Sequence, residues 1–196
     1  RMGQTLHHYR TNLGEQVKGA KTEPEYFRSF SLPKEVIDIQ GAGSNTHALV
    51  QQAIELKNAH GYEEVWCVFD RDDFPAKNVA LAFSLAKEAK INIAFSNECF
   101  ELWYLLHYDY IDSGISRSEY PRMLSERLGR SYRKSDPSMY ESVLPGQSKA
   151  IKLAKRLAKE FPLVEGKECQ SKPITTVHLL VERLIKLAKQ YEARLK

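Results

Sequence analysis

No stretch of this sequence approaches the ~20 consecutive apolar residues that a membrane-spanning helix needs. Its opening, "RMGQTLHHYR", lacks the apolar core of a secretory signal. These two absences lead to the expectation of a cytoplasmic protein with no membrane contact. Cysteine is scarce: Cys67, Cys99 and Cys169 share no metal-ligand spacing, and Cys67 lies inside an apolar run. All three are expected to be reduced and structural. The sequence has no P-loop lysine pattern, no complete Gly-x-Gly-x-x-Gly and no compelling Ser-His-Asp or Cys-His arrangement, which leaves phosphate cradles and nucleophilic triads without support. Internal repeats and low-complexity segments are also missing.

What is present is a polarised chain. Residues 1–112 carry 11 Lys+Arg against 16 Asp+Glu, whereas residues 113–196 carry 18 against 9. An acidic front and a basic back are compatible with metal in front and nucleic acid behind, and equally with lysine-rich solvated helix faces.

The front half alternates strand and helix patterns. A weak strand is expected over 11–19, by topology more than by propensity, and then a helix over 22–30 capped by Thr22 with Pro24 in its first turn. "VIDIQGAG" (36–43) reads as strand and turn, and 44–61 as a helix capped by Ser44 or Asn45 and stopped by Gly61. "EEVWCVFD" (63–70) is the nearly continuous apolar run of a central strand covered on both faces. A helix over 76–90 and a strand over 91–97 follow. This β-α-β-α-β order predicts an α/β fold with a parallel sheet flanked by helices and right-handed crossovers over 11–112. Residues 113–196 read as a basic, mainly helical C-terminal extension packed on that core. It comprises a short polar helix over 116–129 broken near Pro121, an irregular loop over 130–146, an amphipathic helix over 146–161 and a final helix over 175–195. Val177, Val181, Leu184, Ala188, Tyr191 and Leu195 form a seam on the last helix, suited to packing within the fold or against a partner chain, a homo-oligomer included.

The abrupt acids of "VWCVFDRDDF" are the main candidate site. Ligand sites of parallel α/β sheets lie outside the strands' carboxyl ends. Asp70 ends the central strand, and in an extended chain Asp72 points the same way. Two carboxylates so close repel unless a cation or proton lies between them, and Mg²⁺ suits such oxygen ligands. Acids after strands are also ordinary turn formers and helix caps. "GAGSN" puts Gly41 and Gly43 beside this edge, as a tight turn or a phosphate-approaching loop. "FSNECFELW" adds Asn97 and Glu101 to the same edge, with Asn97 equally suited to capping the next helix. His107 reads as a core or rim histidine rather than a ligand.

"GAKTEPEYF", "GAGSNTHALV", "EEVWCVFDRDDF" and "AFSNECFELWYLLHY" occur in that order, and "TTVHLLVERL" closes the chain. This combination resembles the RloB-like (AbiL-type abortive infection) family, strongly over about 17–110. The resemblance implies a Toprim-like sheet and a Mg²⁺- or Mn²⁺-dependent nuclease subunit of a phage-defence system. DNA or RNA, transfer RNA included, would be the substrate, and an ABC/AAA-type ATPase the partner. By the same resemblance Asp70 and Asp72 would hold the metal, with Asp73 assisting. The basic residues Lys21, Arg71, Arg130, Arg133, Lys134, Lys149 and Lys152 would meet nucleic-acid backbone. One position departs from the family pattern: Lys18 stands where a catalytic glutamate belongs, leaving Glu15 or Glu23 to supply that carboxylate. A lysine there competes with a cation, so the rival expectation is an inactive Toprim-like module that binds nucleic acid or a partner.

Overall fold

The structure is a computed structural model that describes residues 13–18, 22–30, 32–33, 37–42, 46–71 and 74–195. Lys21, Gly43, Ser44, Asn45, Asp72 and Asp73, all named above, lie outside the described residues.

The front half folds as its periodicities predict. Strand β1 (Leu13–Lys18), helix α1 (Thr22–Arg28), strand β2 (Ile37–Ala42), helix α2 (Thr46–His60), strand β3 (Glu64–Asp70), helix α3 (Ala76–Glu88) and strand β4 (Asn92–Asn97) follow one another. Helix α2 stops at Gly61, whose φ of +65° suits a residue without a Cβ. Residues 65–70 of β3 are all buried. Successive strand residues face opposite sides, so both faces of β3 are covered. Rings of Phe69, Phe83 and Phe95 meet edge to face, 5.5 to 6.1 Å apart, and lock β3, α3 and β4 together.

The strand order is β2-β1-β3-β4, with all neighbours parallel. The α1 crossover therefore runs from β1 to one side, and the α3 crossover runs from β3 to the other. The chain direction switches between β1 and β3, which opens a crevice at their carboxyl ends. Pairs in register end at Val17 and Val68 between β1 and β3, and at Asp70 and Ser96 between β3 and β4. Lys18 thus ends β1 level with Phe69, one residue short of Asp70.

The back half departs from expectation in several places. A fifth strand, β5 (Ile174–Thr175), pairs antiparallel with β4, so the sheet is mixed rather than wholly parallel. Two residues are too few to show a strand period, and the final-helix pattern absorbed Thr175. Helix α4 (Glu101–Leu105) is a single short helix, although the aromatic run continues beyond it. Helix α5 (Tyr120–Leu128) is not broken by Pro121, which sits in the first turn, where proline's missing N–H costs nothing. The region read as an irregular loop contains helix α6 (Met139–Val143) and a tight helical turn over Leu144–Gly146. A Cβ on Gly146 would lie 2.5 Å from the His107 carbonyl oxygen, which only glycine avoids. Helices α7 (Gln147–Glu160) and α8 (Val177–Leu195) match their patterns. On α7, Ala150, Ala154 and Leu157 are buried, whereas Lys149, Lys152, Lys155, Arg156 and Lys159 are exposed, as its amphipathic pattern predicts.

An aromatic hub joins the halves. Tyr26 of α1 meets Phe100, Tyr104 and Tyr140 edge to face, and its hydroxyl accepts a hydrogen bond from Trp103 Nε1 at 2.9 Å. Arg183 of α8 reaches Glu64 at the start of β3, at 2.7 Å. The α8 seam packs within the fold at Val177, Val181 and Leu184, and leaves Leu195 71% exposed. Among the described residues no helix is long and apolar enough to cross a membrane. Leu184→Ala should cost about 2–5 kcal/mol of stability, through lost burial and the cavity left behind. Leu195→Ala should stay within about 0.5 kcal/mol of the parent. Urea unfolding of both variants measures this difference.

Candidate functional site

The carboxyl edge of the sheet gathers acids that the fold only partly desolvates. Asp70 is 9% exposed, Glu101 6% and Glu23 9%. Glu101 opens α4, directly after the β4 edge, and Glu23 opens α1, where an acid favours the helix N-terminus. Cys99, buried, lies in the field of both Glu101 and Asp70. Burial first, and those carboxylates second, push its thiol far above the ordinary range. The thiol is thus a hydrogen-bond partner of Glu101 and not a nucleophile.

Two tyrosines from the back half close over this edge. Tyr132 donates its hydroxyl to Glu101 Oε1 at 3.1 Å, and its backbone N–H is fixed by Ser125 Oγ at 2.9 Å. Burial and the Glu101 charge raise the Tyr132 phenol far above its usual value, and Glu23 adds to the effect. Tyr120 is raised by burial and then by Cys99, Glu98, Glu101 and Asp70. Both phenols stay protonated, and Tyr132 serves as a donor to Glu101.

Two cations of the back half face the acids. Arg117 Nη2 stands 3.7 Å from Asp70 Oδ2, and Lys134 Nζ stands 3.9 Å from Glu101 Oε1. Lys134 was named from the sequence. Arg117 and Tyr132 were not, because nothing local distinguishes them and only tertiary folding brings them to the edge. Cys99 was read only as a structural thiol, consistent with its burial.

The other residues named from the sequence are placed as follows. Asn97 is fully buried and donates from Nδ2 to the carbonyls of Cys169 and Ser171, at 3.1 and 2.8 Å. It ties the edge to the back half and does not cap α4, whose cap residue is Phe100. Gly41 lies inside β2 rather than in a loop, and Lys18 ends β1 opposite Ala42. Arg71 donates its backbone N–H to Ser96 O, and its Nε is buried without a hydrogen-bond partner among the described residues. Arg130 pairs with Asp136 and also donates to Ser138 and Ser142. Lys149 donates to the Tyr108 carbonyl. Arg133 and Lys152 are exposed. Cys67, Cys99 and Cys169 are free thiols. His107 is a core residue: its Nδ1 lies 2.9 Å from the Trp103 carbonyl, and burial lowers its pKa to about 4.

Among the described residues no group of three or more His, Cys, Asp or Glu converges on a metal-sized space. Asp70 would offer a divalent metal one hard oxygen ligand at this edge, and Asp72 lies outside the described residues. The donor chemistry, oxygen only and partly desolvated, fits a hard divalent cation.

Fold and edge together define a mixed α/β protein with buried acids at and beyond the carboxyl ends of its strands. Residues 16–184 match the family described as RloB-like protein, and the chain belongs to the RloB-like family. No curated protein and no solved structure matches it.

Two predictions follow from this geometry. Tyr132→Phe deprives a buried carboxylate of its donor and should lower stability by about 1–3 kcal/mol, read from the denaturant midpoint. His107 titrates near 6.5 when unfolded and near 4 when folded. Between those values only the unfolded chain takes up the proton. Its contribution is therefore complete above about pH 6.5 and falls by up to about 3 kcal/mol toward pH 4. Burial also lowers His178, with the same sign. His107→Gln should flatten this acid limb in midpoints measured from pH 7 to 4.

Proposed function

We propose that the chain is the metal-dependent nuclease subunit, of Toprim and AbiL type, of a bacterial phage-defence system. It would cleave phosphodiester bonds in DNA or RNA, transfer RNA included, in concert with an ABC/AAA-type ATPase. One observation carries this reading: Asp70 ends the fully buried central strand at the switch-point crevice, and Arg-Asp-Asp follows at once. Asp70 and Asp72 would hold Mg²⁺ or Mn²⁺, with Asp73 assisting through water. The bound metal would stabilise charge on the phosphodiester and make water a better nucleophile at neutral pH. The chain's own groups prepare the crevice. Tyr132 and Cys99 hold Glu101 in place, Glu23 adds negative potential, and Arg117 and Lys134 keep the acids from repelling a polyanion outright.

A second reading has a specific observation in its favour. Lys18 ends β1 at the register level of Phe69, one residue short of Asp70, where the family resemblance places a glutamate. In this reading the chain is a catalytically inactive module that binds nucleic acid or the ATPase.

Incubation with labelled DNA, RNA and transfer RNA in Mg²⁺ or Mn²⁺, with and without the ATPase, separates the two. The nuclease reading expects chelator-sensitive cleavage that drops by roughly two orders of magnitude or more in Asp70→Asn and in Asp72→Asn. Binding without cleavage under every condition makes the second reading the correct one. In that case Lys18→Glu should strengthen Mn²⁺ binding measured by calorimetry.

A further inference from the structure

We propose that the groove between α7 and α8 is a docking site for an acidic amphipathic helix of another protein. The inference stands apart from the nuclease reading, because none of the residues it uses belongs to the sheet edge.

Helix α8 carries two stripes. One, through Val177, Val181 and Leu184, is buried in the fold. The other runs through Glu182, Lys186, Lys189 and Ala193, at steps of four, three and four, so it keeps to one side of the helix. It covers three turns, roughly 16 Å of helix. Helix α7 packs beside it. Ile151 of α7 joins this stripe and Ile185 in lining an open groove of about 540 Å³. Ile151 and Ile185 are half-buried and Ala193 is exposed. They form an apolar floor, which the methylene stems of Lys186 and Lys189 extend. An amphipathic helix lays its own apolar face into such a groove through residues at i, i+3 or i+4, and i+7.

The charge around the floor selects the occupant. Lys155 and Glu182 pair at 2.6 Å and neutralise each other. Among the described residues, Lys186 and Lys189 make no hydrogen bond or ion pair, and neither does Lys152, exposed next to Ile151 in the chain. The other cations of the two helices do not line the groove. Lys149 is held by the Tyr108 carbonyl, Arg156 by Glu160 and Arg183 by Glu64, while Lys159 and Arg194 are exposed. Glu192, the other acid of this part of α8, does not line it either. The groove thus sets two uncompensated ammonium groups over an apolar floor. A polynucleotide backbone would match the lysines and gain nothing from the floor. A second copy docked two-fold through the same stripe would set like charges against each other. A helix with leucine-type residues on one face and carboxylates beside them satisfies both features.

The test is fluorescence anisotropy with three labelled peptides, each a stapled helix of roughly 14 residues, long enough to span the groove. The first has leucine along one face and glutamate on the flanks. The second has lysine in place of each glutamate, and the third has serine in place of each leucine. The parent should bind the first at least about tenfold more tightly than either of the others. Lys186→Glu together with Lys189→Glu should reverse the preference between the first two peptides, an exchange that a misfolded chain does not produce. Lys77→Glu together with Lys167→Glu, at exposed positions that do not line the groove, should keep the parental preference. A parent that binds the acidic peptide no better than the lysine peptide, or not at all, overturns the inference. So does a Lys186→Glu, Lys189→Glu chain with the parental preference. If that chain fails to fold by circular dichroism, Lys189→Gln replaces it, and parental affinity for the acidic peptide overturns the inference instead. Displacement of the acidic peptide by single-stranded DNA through the same lysines would make this face a nucleic-acid surface. A dimer in sedimentation that the paired substitution disrupts would give it to a second copy. Either result overturns the inference. The presence or absence of cleavage moves none of these readouts, so this inference and the nuclease reading fail separately.

Discussion

The antiparallel junction between β4 and β5 is the constraint on which the rest of the molecule depends. Ser96 pairs with Thr175 and Asn97 with Ile174, closing a segment of nearly eighty residues onto the sheet. Thr176 accepts the Phe95 N–H at 2.8 Å and returns its own N–H to the Phe95 carbonyl at the same distance. The hydroxyls of Ser96 and Thr175 meet at 3.0 Å, and Asn97 spans to Cys169 and Ser171. Most of these groups are fully or nearly buried, so leaving one unmade costs its desolvation. Closing so long a loop costs only slightly more entropy than closing a shorter one. The junction pins both ends of the back half, and everything between Asn97 and Ile174 must then lie over the carboxyl edge or along the sheet. That is how Arg117, Tyr132 and Lys134 come to face acids that are remote in sequence.

The charge division of the chain acquires a meaning here. An acidic front half and a basic back half are separate facts in sequence, but the fold presses one against the other at a single seam. Carboxylates held at under a tenth of full exposure lose much of their hydration and need compensation. A phenol, a thiol, a guanidinium and an ammonium supply it. The cations stand at 3.7 and 3.9 Å from Asp70 and Glu101, close enough to stabilise those acids by charge.

Legibility in the sequence tracks the length of each periodic signal. The seven-residue apolar run of β3, the stripes of α2, α3 and α7, and the seam of α8 each repeat enough times to declare themselves. Strand β5 has two residues and no period to read. Helix α4 hides inside an aromatic run that looks helical for twice its length, because burial in the Tyr26 hub rather than helix geometry selects those rings. Asp70 and Glu101 were legible as edge acids because strand ends announce themselves. Arg117 and Tyr132 were not, since each acts on a residue dozens of positions away. Arg130 and Lys149 carry the opposite lesson: a basic residue in a basic segment is often already engaged by its own chain.

Lys18 gains its proper weight from the same charge accounting. It ends β1 level with Phe69, on the strand that pairs with β3. Glu23 follows Lys18 by five residues, and its charge acts on Tyr104 and Tyr132, the tyrosine that holds Glu101. Glu23 and Glu101 are buried acids beyond the same strand ends, although among the described residues they do not converge with Asp70 on one metal-sized space. The negative potential of the described edge therefore comes from a strand end and from the first turns of two helices, α1 and α4, where the helix N-terminus favours a carboxylate.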